Sequence, residues 1–145
     1  MSLLSETVVQ VIDAQQTIAG KLQTSNPLPG VVNVAYATLT VGAALPIGVA
    51  TVPLLVPIPS SAFIYQTIVD VTTTFVGAGA SIGVGVQASN NNLTGGDVAI
   101  ANWAAGAPDK YSPAIVTSAT VSTLNINIVA APVTAGSAII RILYV

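Results

Sequence analysis

The chain has 145 residues and a formal net charge of −2, yet only 6% of its residues are Asp, Glu, Lys or Arg. An ordinary soluble domain carries roughly 25% charged residues, so this surface must consist of neutral polar side chains and apolar patches. Large exposed apolar patches mark surfaces that other chains cover. The composition therefore predicts an oligomer or a component of a larger assembly.

The same composition excludes several classes of function. Three basic residues leave no electrostatic footprint for a phosphate backbone, so we expect no nucleic-acid partner. The absence of Cys and His removes thiolate ligands, the commonest metal ligand and the commonest general base. The five carboxylates are scattered along the chain and form no motif. We expect neither an enzyme nor a metal or cofactor site.

A mean hydropathy of +0.80 raises the question of a membrane span. Residues 41–58 carry no charge, but two Gly and three Pro residues interrupt them and would break a spanning helix repeatedly. The N-terminus has no basic region and carries Glu6 and Asp13, unlike a signal peptide. We therefore expect no membrane partner.

Residues 1–30 differ in pattern from the rest and are predicted to form an arm with a linker. The apolar positions of the arm repeat at spacings typical of a short amphipathic helix: Leu4, Val8, Val11, Ile18 and Leu22. Residues 23–30 are polar and contain two prolines, as in an extended linker. Three interpretations stay open: a helix packed on its own domain, an arm used in assembly, and an extended strand, since Val and Ile are poor helix formers.

Residues 31–145 are predicted to form the body, a mainly β fold. Alternation predicts strands at 31–41, 81–88, 111–118, 120–130 and 136–145, with a shorter one at 49–55. The central strand lies in residues 57–75, where one parity is predicted to be buried: Phe63, Tyr65, Val69, Val71 and Phe75. Seven or eight strands separated by turn signals indicate an antiparallel β-sandwich or jelly roll.

Particular residues in the body carry further expectations. Gly83 and Gly85 face outward on their strand, which predicts a bend or the close approach of another backbone. Asp97 is expected to cap a short helix over residues 98–103. Asp70 and Arg141 lie on the polar parity of their strands, either paired across neighbouring strands or between subunits, or as two unrelated solvated charges.

The loop at residues 89–97 is the most polar part of the body and offers a possible contact surface. Asn92, Trp103 and Tyr111 lie in or near this region, and the two aromatic rings could stack on a sugar. The commoner role of such aromatics is to close the end of a sandwich. A weak calcium site is the alternative to a hydrated turn in this loop, which holds a single carboxylate.

Several runs of the body together resemble small structural proteins of tailed phages. They are residues 58–64, 69–72, 82–84 and 134–136, with a final strand that ends at Tyr144. In pattern and spacing they are similar to capsid cement, or decoration, and head-fibre proteins that have a β-sandwich body and an N-terminal arm. The resemblance covers about residues 31–145.

The resemblance implies a homotrimer on the outside of the virion capsid that contacts the major capsid protein and reinforces the shell. The arm positions Leu4, Val8, Val11, Ile18 and Leu22 would then contact a neighbouring subunit or the capsid. The alternative function is a head- or tail-fibre, lectin-like module that recognises host carbohydrate through Asn92, Trp103 and Tyr111.

Overall fold

The computed structural model describes residues 31–145, and residues 1–30 lie outside the described part of the chain. The described residues form nine strands and a 3-10 helix, Ile100–Asn102. The strands are β1 Asn33–Thr40, β2 Gly48–Ile58, β3 Phe63–Val76, β4 Ser81–Gly85, β5 Val98–Ala99, β6 Asp109–Tyr111, β7 Ile115–Val116, β8 Val121–Val129 and β9 Ala135–Tyr144.

The strands form two antiparallel sheets. Sheet 1 has the order β1-β9-β3-β6, and β7 also pairs with β3. Sheet 2 has the order β2-β8-β4-β5. The inner faces of the two sheets share one apolar core, so the body is mainly β and has the two-layer arrangement of a β-sandwich. This confirms the predicted fold class.

The core is built from alternate residues of each strand, because successive side chains of a strand point to opposite faces. The predicted inner faces of three strands are confirmed by their burial: Ile82, Val84, Leu124, Ile126, Ile128, Ala138, Ile140, Ile142 and Tyr144. On β1 the buried parity carries the small residues Ala35 and Ala37, while Tyr36 is exposed.

The central strand differs from its predicted pattern at its start. Phe63 is 40% exposed, whereas Ile64 is fully buried. The register between β3 and β9 shifts between Ile64 and Gln66, and a bulge of this kind moves the inward parity by one residue. Val69, Val71 and Phe75 are then buried as predicted. The predictions for Phe63 and for Tyr65, which is only partly buried, are wrong because a uniform period of two cannot show a bulge.

Other boundaries also differ. Strand β2 runs to Ile58 and is longer than predicted, although it contains Pro53 and Pro57, because an edge strand tolerates residues without an N–H. The strand predicted at 111–118 is two short strands, β6 and β7, that flank Pro113. The helix predicted at 98–103 is replaced by β5 and one 3-10 turn without a side-chain cap.

Candidate interaction surfaces

The outer face of sheet 1 presents an aromatic ring, a guanidinium and apolar side chains in one row. The strand register places Tyr36 opposite Arg141, and Arg141 opposite Ile68. Lys110 on β6 lies opposite Ile68, on the other side of β3 from Arg141. Tyr, Arg and aliphatic side chains around a charged group are typical of the contact surfaces between proteins.

Asp70 and Arg141 form an ion pair on that face. Arg141 Nη2 lies 3.3 Å from Asp70 Oδ2, and the two side chains are 36% and 30% exposed respectively. The pair joins the neighbouring strands β3 and β9, so the first of the two interpretations made from the sequence is confirmed. Partial exposure limits its contribution to stability, since solvent screens such pairs.

On sheet 2, the outer side of β4 and the adjoining part of β8 are covered by the protein's own polar loop. A Cβ on Gly83 would meet the side chains of Asn91 and Asp97, and a Cβ on Gly85 would lie 2.6 Å from the backbone N of Asn91. Only glycine lets the loop lie this close to β4. The close approach of another backbone, predicted from the two outward glycines, is confirmed.

Three amide side chains and Asp97 hold the loop in place. Asn125 Nδ2 donates to the carbonyl oxygens of Gln87 and Ser89, at 2.9 and 2.8 Å. Asp97 Oδ1 accepts from Asn91 and Asn127, at 3.1 Å each. The Asp97 side chain therefore secures the loop to β8 and does not cap a helix as predicted. The outward asparagines of β8 carry a role that alternation alone did not reveal.

The structure places the three proposed loop-contact residues in different surroundings. Trp103 is fully buried, its ring 5.3 Å from that of Phe75 in an edge-to-face contact. Its Nε1–H donates to Tyr111 Oη at 3.1 Å. Asn92 Oδ1 accepts from the backbone N–H of Val86 at 2.9 Å. Trp103 and Tyr111 thus meet, and the Trp103 ring has no exposed face for a sugar.

Tyr111 is half-buried beside this tryptophan. Burial raises the pKa of its hydroxyl, the hydrogen bond from Trp103 opposes that rise, and the negative charge of Asp109 adds to it. The hydroxyl therefore stays protonated at neutral pH and accepts the indole N–H. This arrangement fits the structural interpretation in which the aromatics close one end of the sandwich.

The first and second strands lie close to each other along one side of the sandwich, a feature that the sequence did not reveal. Both are edge strands, β1 of sheet 1 and β2 of sheet 2. A groove of about 390 Å³ runs between them, lined by Tyr36, Ala37, Thr38, Pro53, Leu54 and Leu55. Leu55 is 80% exposed beside buried Leu54. The sequence signal for this groove was Leu55, an apolar residue at an outward-facing position of an edge strand.

Two further findings bear on the excluded classes. Within residues 31–145, His, Cys, Asp and Glu do not come together in groups of three or more that would suit a metal ion. Nor does that part of the chain contain a helix with the length and hydropathy to cross a membrane.

The predicted arm contacts Leu4, Val8, Val11, Ile18 and Leu22 lie outside the described residues.

Comparisons with known proteins give similarity in fold. No protein-family model matches the chain, and no curated protein matches it significantly. Its structure is similar to a chain from the capsid of Ralstonia phage GP4, with a TM-score of 0.57 and 19% identity. That similarity covers 82% of this chain and 88% of the phage chain. The two chains share a fold over most of their lengths.

A second similarity is weaker. It is to a chain from the acidic stable capsid structure of Helicobacter pylori bacteriophage KHP30, with a TM-score of 0.45 and 20% identity. It covers 81% of this chain and 89% of that chain.

Proposed function

We propose that this protein is a structural component of a bacteriophage virion, a cement or decoration subunit on the outside of the capsid. The observation that carries the proposal is the fold shared with a chain of the Ralstonia phage GP4 capsid. The low content of charged residues supports it independently. A surface with few charges would lower the solubility of a free monomer, but neighbouring subunits cover such a surface in an assembly.

The proposed mechanism is adhesion and involves no turnover. Exposed apolar side chains such as Leu55 and Val116 contribute when a neighbouring chain covers them. At about 25 cal/mol per Å², an apolar contact of about 300 Å² contributes roughly 7 kcal/mol before the costs of association. Repetition over many copies multiplies this contribution across a shell.

The proposed partners are two further copies of this chain, in a homotrimer, and the major capsid protein. The proposed contact residues in the arm are Leu4, Val8, Val11, Ile18 and Leu22. The outer face of sheet 1, around Tyr36 and Arg141, is a second candidate for such contacts, since on sheet 2 the loop at 89–97 covers β4.

The structure does not favour the carbohydrate-binding alternative. A sugar ring stacks on an exposed aromatic face, and Trp103 is fully buried under Phe75. Asn92 already accepts a hydrogen bond from Val86. We therefore place the adhesive role first.

Antibody labelling of intact particles tests the location. An antibody raised against residues 31–145 is applied to purified virions of the phage that encodes this chain and viewed by electron microscopy. We expect label distributed over the outside of the head. Label on the tail alone, or no protein in the virion by mass spectrometry, would contradict the proposal. Particles of a phage without this chain serve as the control.

A further inference from the structure

Four exposed apolar side chains form one row across an end of sheet 1. Phe63 and Val145 are directly opposed, since the backbone N–H of each donates to the carbonyl oxygen of the other, at 2.9 and 3.0 Å. On its other side Phe63 pairs with Val116. The register between β1 and β9, continued by one residue, places Val32 beside Val145. The row thus crosses β1, β9, β3 and β7, with one residue in or next to each strand.

The side chains of this row point outward from the sandwich. The adjacent residues Asn33, Ile64 and Tyr144 are buried, and successive side chains of a strand point to opposite faces. The exposed fractions of the four residues in the row lie between 40% and 63%. Large apolar side chains exposed in one group mark a surface that another chain covers.

The row belongs to a larger apolar area that ends at charged residues. Val34 and Leu143 are opposed in the next row of the same face and are partly exposed. The row after that holds Tyr36 and Arg141, and Arg141 is paired with Asp70. An apolar centre and a polar rim are the usual composition of an interface between proteins. We call the six apolar residues the end face: Val32, Val34, Phe63, Val116, Leu143 and Val145.

The area of the end face reaches the lower limit for a specific contact between proteins. A fully exposed large apolar side chain has roughly 150 to 200 Å² of surface. At their exposed fractions, the six residues therefore present about 400 Å². With about 65% apolar area at the centre of an interface, this corresponds to about 600 Å² per copy. Specific interfaces bury about 1,200 Å² or more over both partners, so copies of the same face supply enough area.

The width of the end face determines how several copies can share it. Four strands at a spacing of about 4.8 Å make a face about 19 Å wide. Three such faces, arranged as the sides of an equilateral triangle, each lie about 5.5 Å from the central axis. Packed sheets lie about 10 Å apart, so the side chains of one sheet fill about 5 Å. The side chains of three end faces therefore meet on the axis and leave no channel.

We propose that three copies of this chain pack their end faces around a three-fold axis. Phe63 and Val145, on the two middle strands of the face, lie nearest the axis. Val32 of one copy lies against Val116 of the next copy, because β1 and β7 form the two edges of the face. The inference rests on the proposed function and deepens it, since it assigns a contact surface to the homotrimer.

The charged residues of sheet 1 lie outside this contact. Neighbouring strands of a sheet twist relative to one another, so three faces that touch at one end diverge along their strands. Arg141 and Asp70 then lie where the faces have separated, and their ion pair keeps its contact with solvent. The trimer therefore brings no like charges together on its axis.

Sedimentation of the full chain, with and without a charge in the end face, is the first test. Phe63→Glu places a carboxylate beside the axis, at a position that is 40% exposed in the single chain and so tolerates a polar residue. We expect the natural chain to be a trimer and its dissociation constant to rise at least about tenfold in this variant.

Val76→Glu is the matched control, because Val76 lies at the opposite end of the same strand β3 and is 53% exposed. We expect this variant to remain a trimer, and circular dichroism checks that both variants are folded. A natural chain that sediments as monomers or dimers would overturn the proposal, and so would equal effects of the two variants.

Cross-linking identifies which edges of the end face meet. The natural chain has no Cys, so Val32→Cys and Val116→Cys in one chain provide two thiols at opposite edges. Within one chain they lie about 14 Å apart, three strand spacings, which is too far for the shortest bis-maleimides. We expect the double variant to give covalent trimers on a denaturing gel and each single variant to stay monomeric there. Covalent dimers alone, or no cross-link, would overturn the proposal.

Binding to phage heads separates failure of this inference from failure of the proposed function. The natural chain and Phe63→Glu are each added to heads that lack the protein, and the bound mass is measured. A natural chain that binds heads as a monomer would overturn the three-fold contact and leave the cement role intact. A trimer held by the end face that binds no heads would support the contact and contradict the cement role.

Discussion

Gly136 on β9 lies directly against the side chain of Phe75 on β3. A Cβ on residue 136 would lie 2.6 Å from Cδ1 and 2.7 Å from Cα of Phe75. Gly136 also has a φ of +130°, a backbone conformation that residues other than glycine rarely adopt. The Phe75 ring in turn packs on buried Trp103, so this glycine positions the aromatic end of the core.

Substitution of this glycine should therefore destabilise the sandwich. We expect Gly136→Ala to lower the free energy of unfolding by about 2 to 4 kcal/mol, from backbone strain and from displacement of Phe75. Urea denaturation followed by tryptophan fluorescence measures the loss. Gly42→Ala is the matched control, because a Cβ there meets no atom within 4 Å. Equal effects at the two positions would contradict this explanation.

A double-mutant cycle on Asp70 and Arg141 measures the ion pair. We expect Asp70→Asn and Arg141→Met to be non-additive, with a coupling energy of about 0.2 to 1 kcal/mol, because both side chains are about one-third exposed. The coupling should decrease in 1 M salt, where screening is stronger. Strictly additive effects would show that the 3.3 Å contact contributes nothing to stability.

The loop on sheet 2 should depend on the glycine beneath it. Gly85→Ala places a methyl group 2.6 Å from the backbone N of Asn91, so the loop must move away from β4. We expect faster limited proteolysis within residues 89–97 and a loss of about 1 to 3 kcal/mol. Cleavage at the natural rate would mean that the loop is held by its amide contacts alone.

Two tyrosines should respond in opposite ways to loss of the hydroxyl. Tyr144 Oη is buried and has no hydrogen-bond partner among residues 31–145, so Tyr144→Phe should leave stability unchanged or raise it slightly. Tyr111→Phe leaves the buried Trp103 N–H without its acceptor and should cost about 1 to 3 kcal/mol. Similar losses in both variants, measured by urea denaturation at pH 7, would contradict this assignment.

The same two residues predict sensitivity to alkaline pH. Burial is the main cause that raises the pKa of each hydroxyl above 10.0. The folded state therefore holds these protons more tightly than the unfolded chain does. Their contribution to stability is complete below pH 10 and is lost as the pH rises through the higher folded-state pKa. We expect Tyr144→Phe to flatten the alkaline fall in the melting temperature. A fall identical to that of the natural chain would exclude Tyr144 as its source.

Periodicity was sufficient where strands are regular. The alternation in β8 and β9 predicted which residues are buried, because in an uninterrupted strand every second side chain points to the inner face. The glycines of β4 likewise predicted the close backbone above them. In these elements each residue's environment follows from its neighbours in sequence.

The features that periodicity did not predict depend on contacts between residues far apart in the sequence. The bulge near Tyr65 depends on the partner strand β9, and the division into β6 and β7 depends on which part of β3 each contacts. The burial of Trp103 follows from its contact with Phe75, far away in sequence. The groove between β1 and β2 appears only once the two sheets are packed.

Addition of purified protein to phage heads that lack it tests the proposed cement role. The bound mass per head and the temperature at which the heads open are measured together. We expect saturable binding and a higher opening temperature. A chain that stays dispersed as monomers at high concentration and leaves the heads unchanged would contradict it.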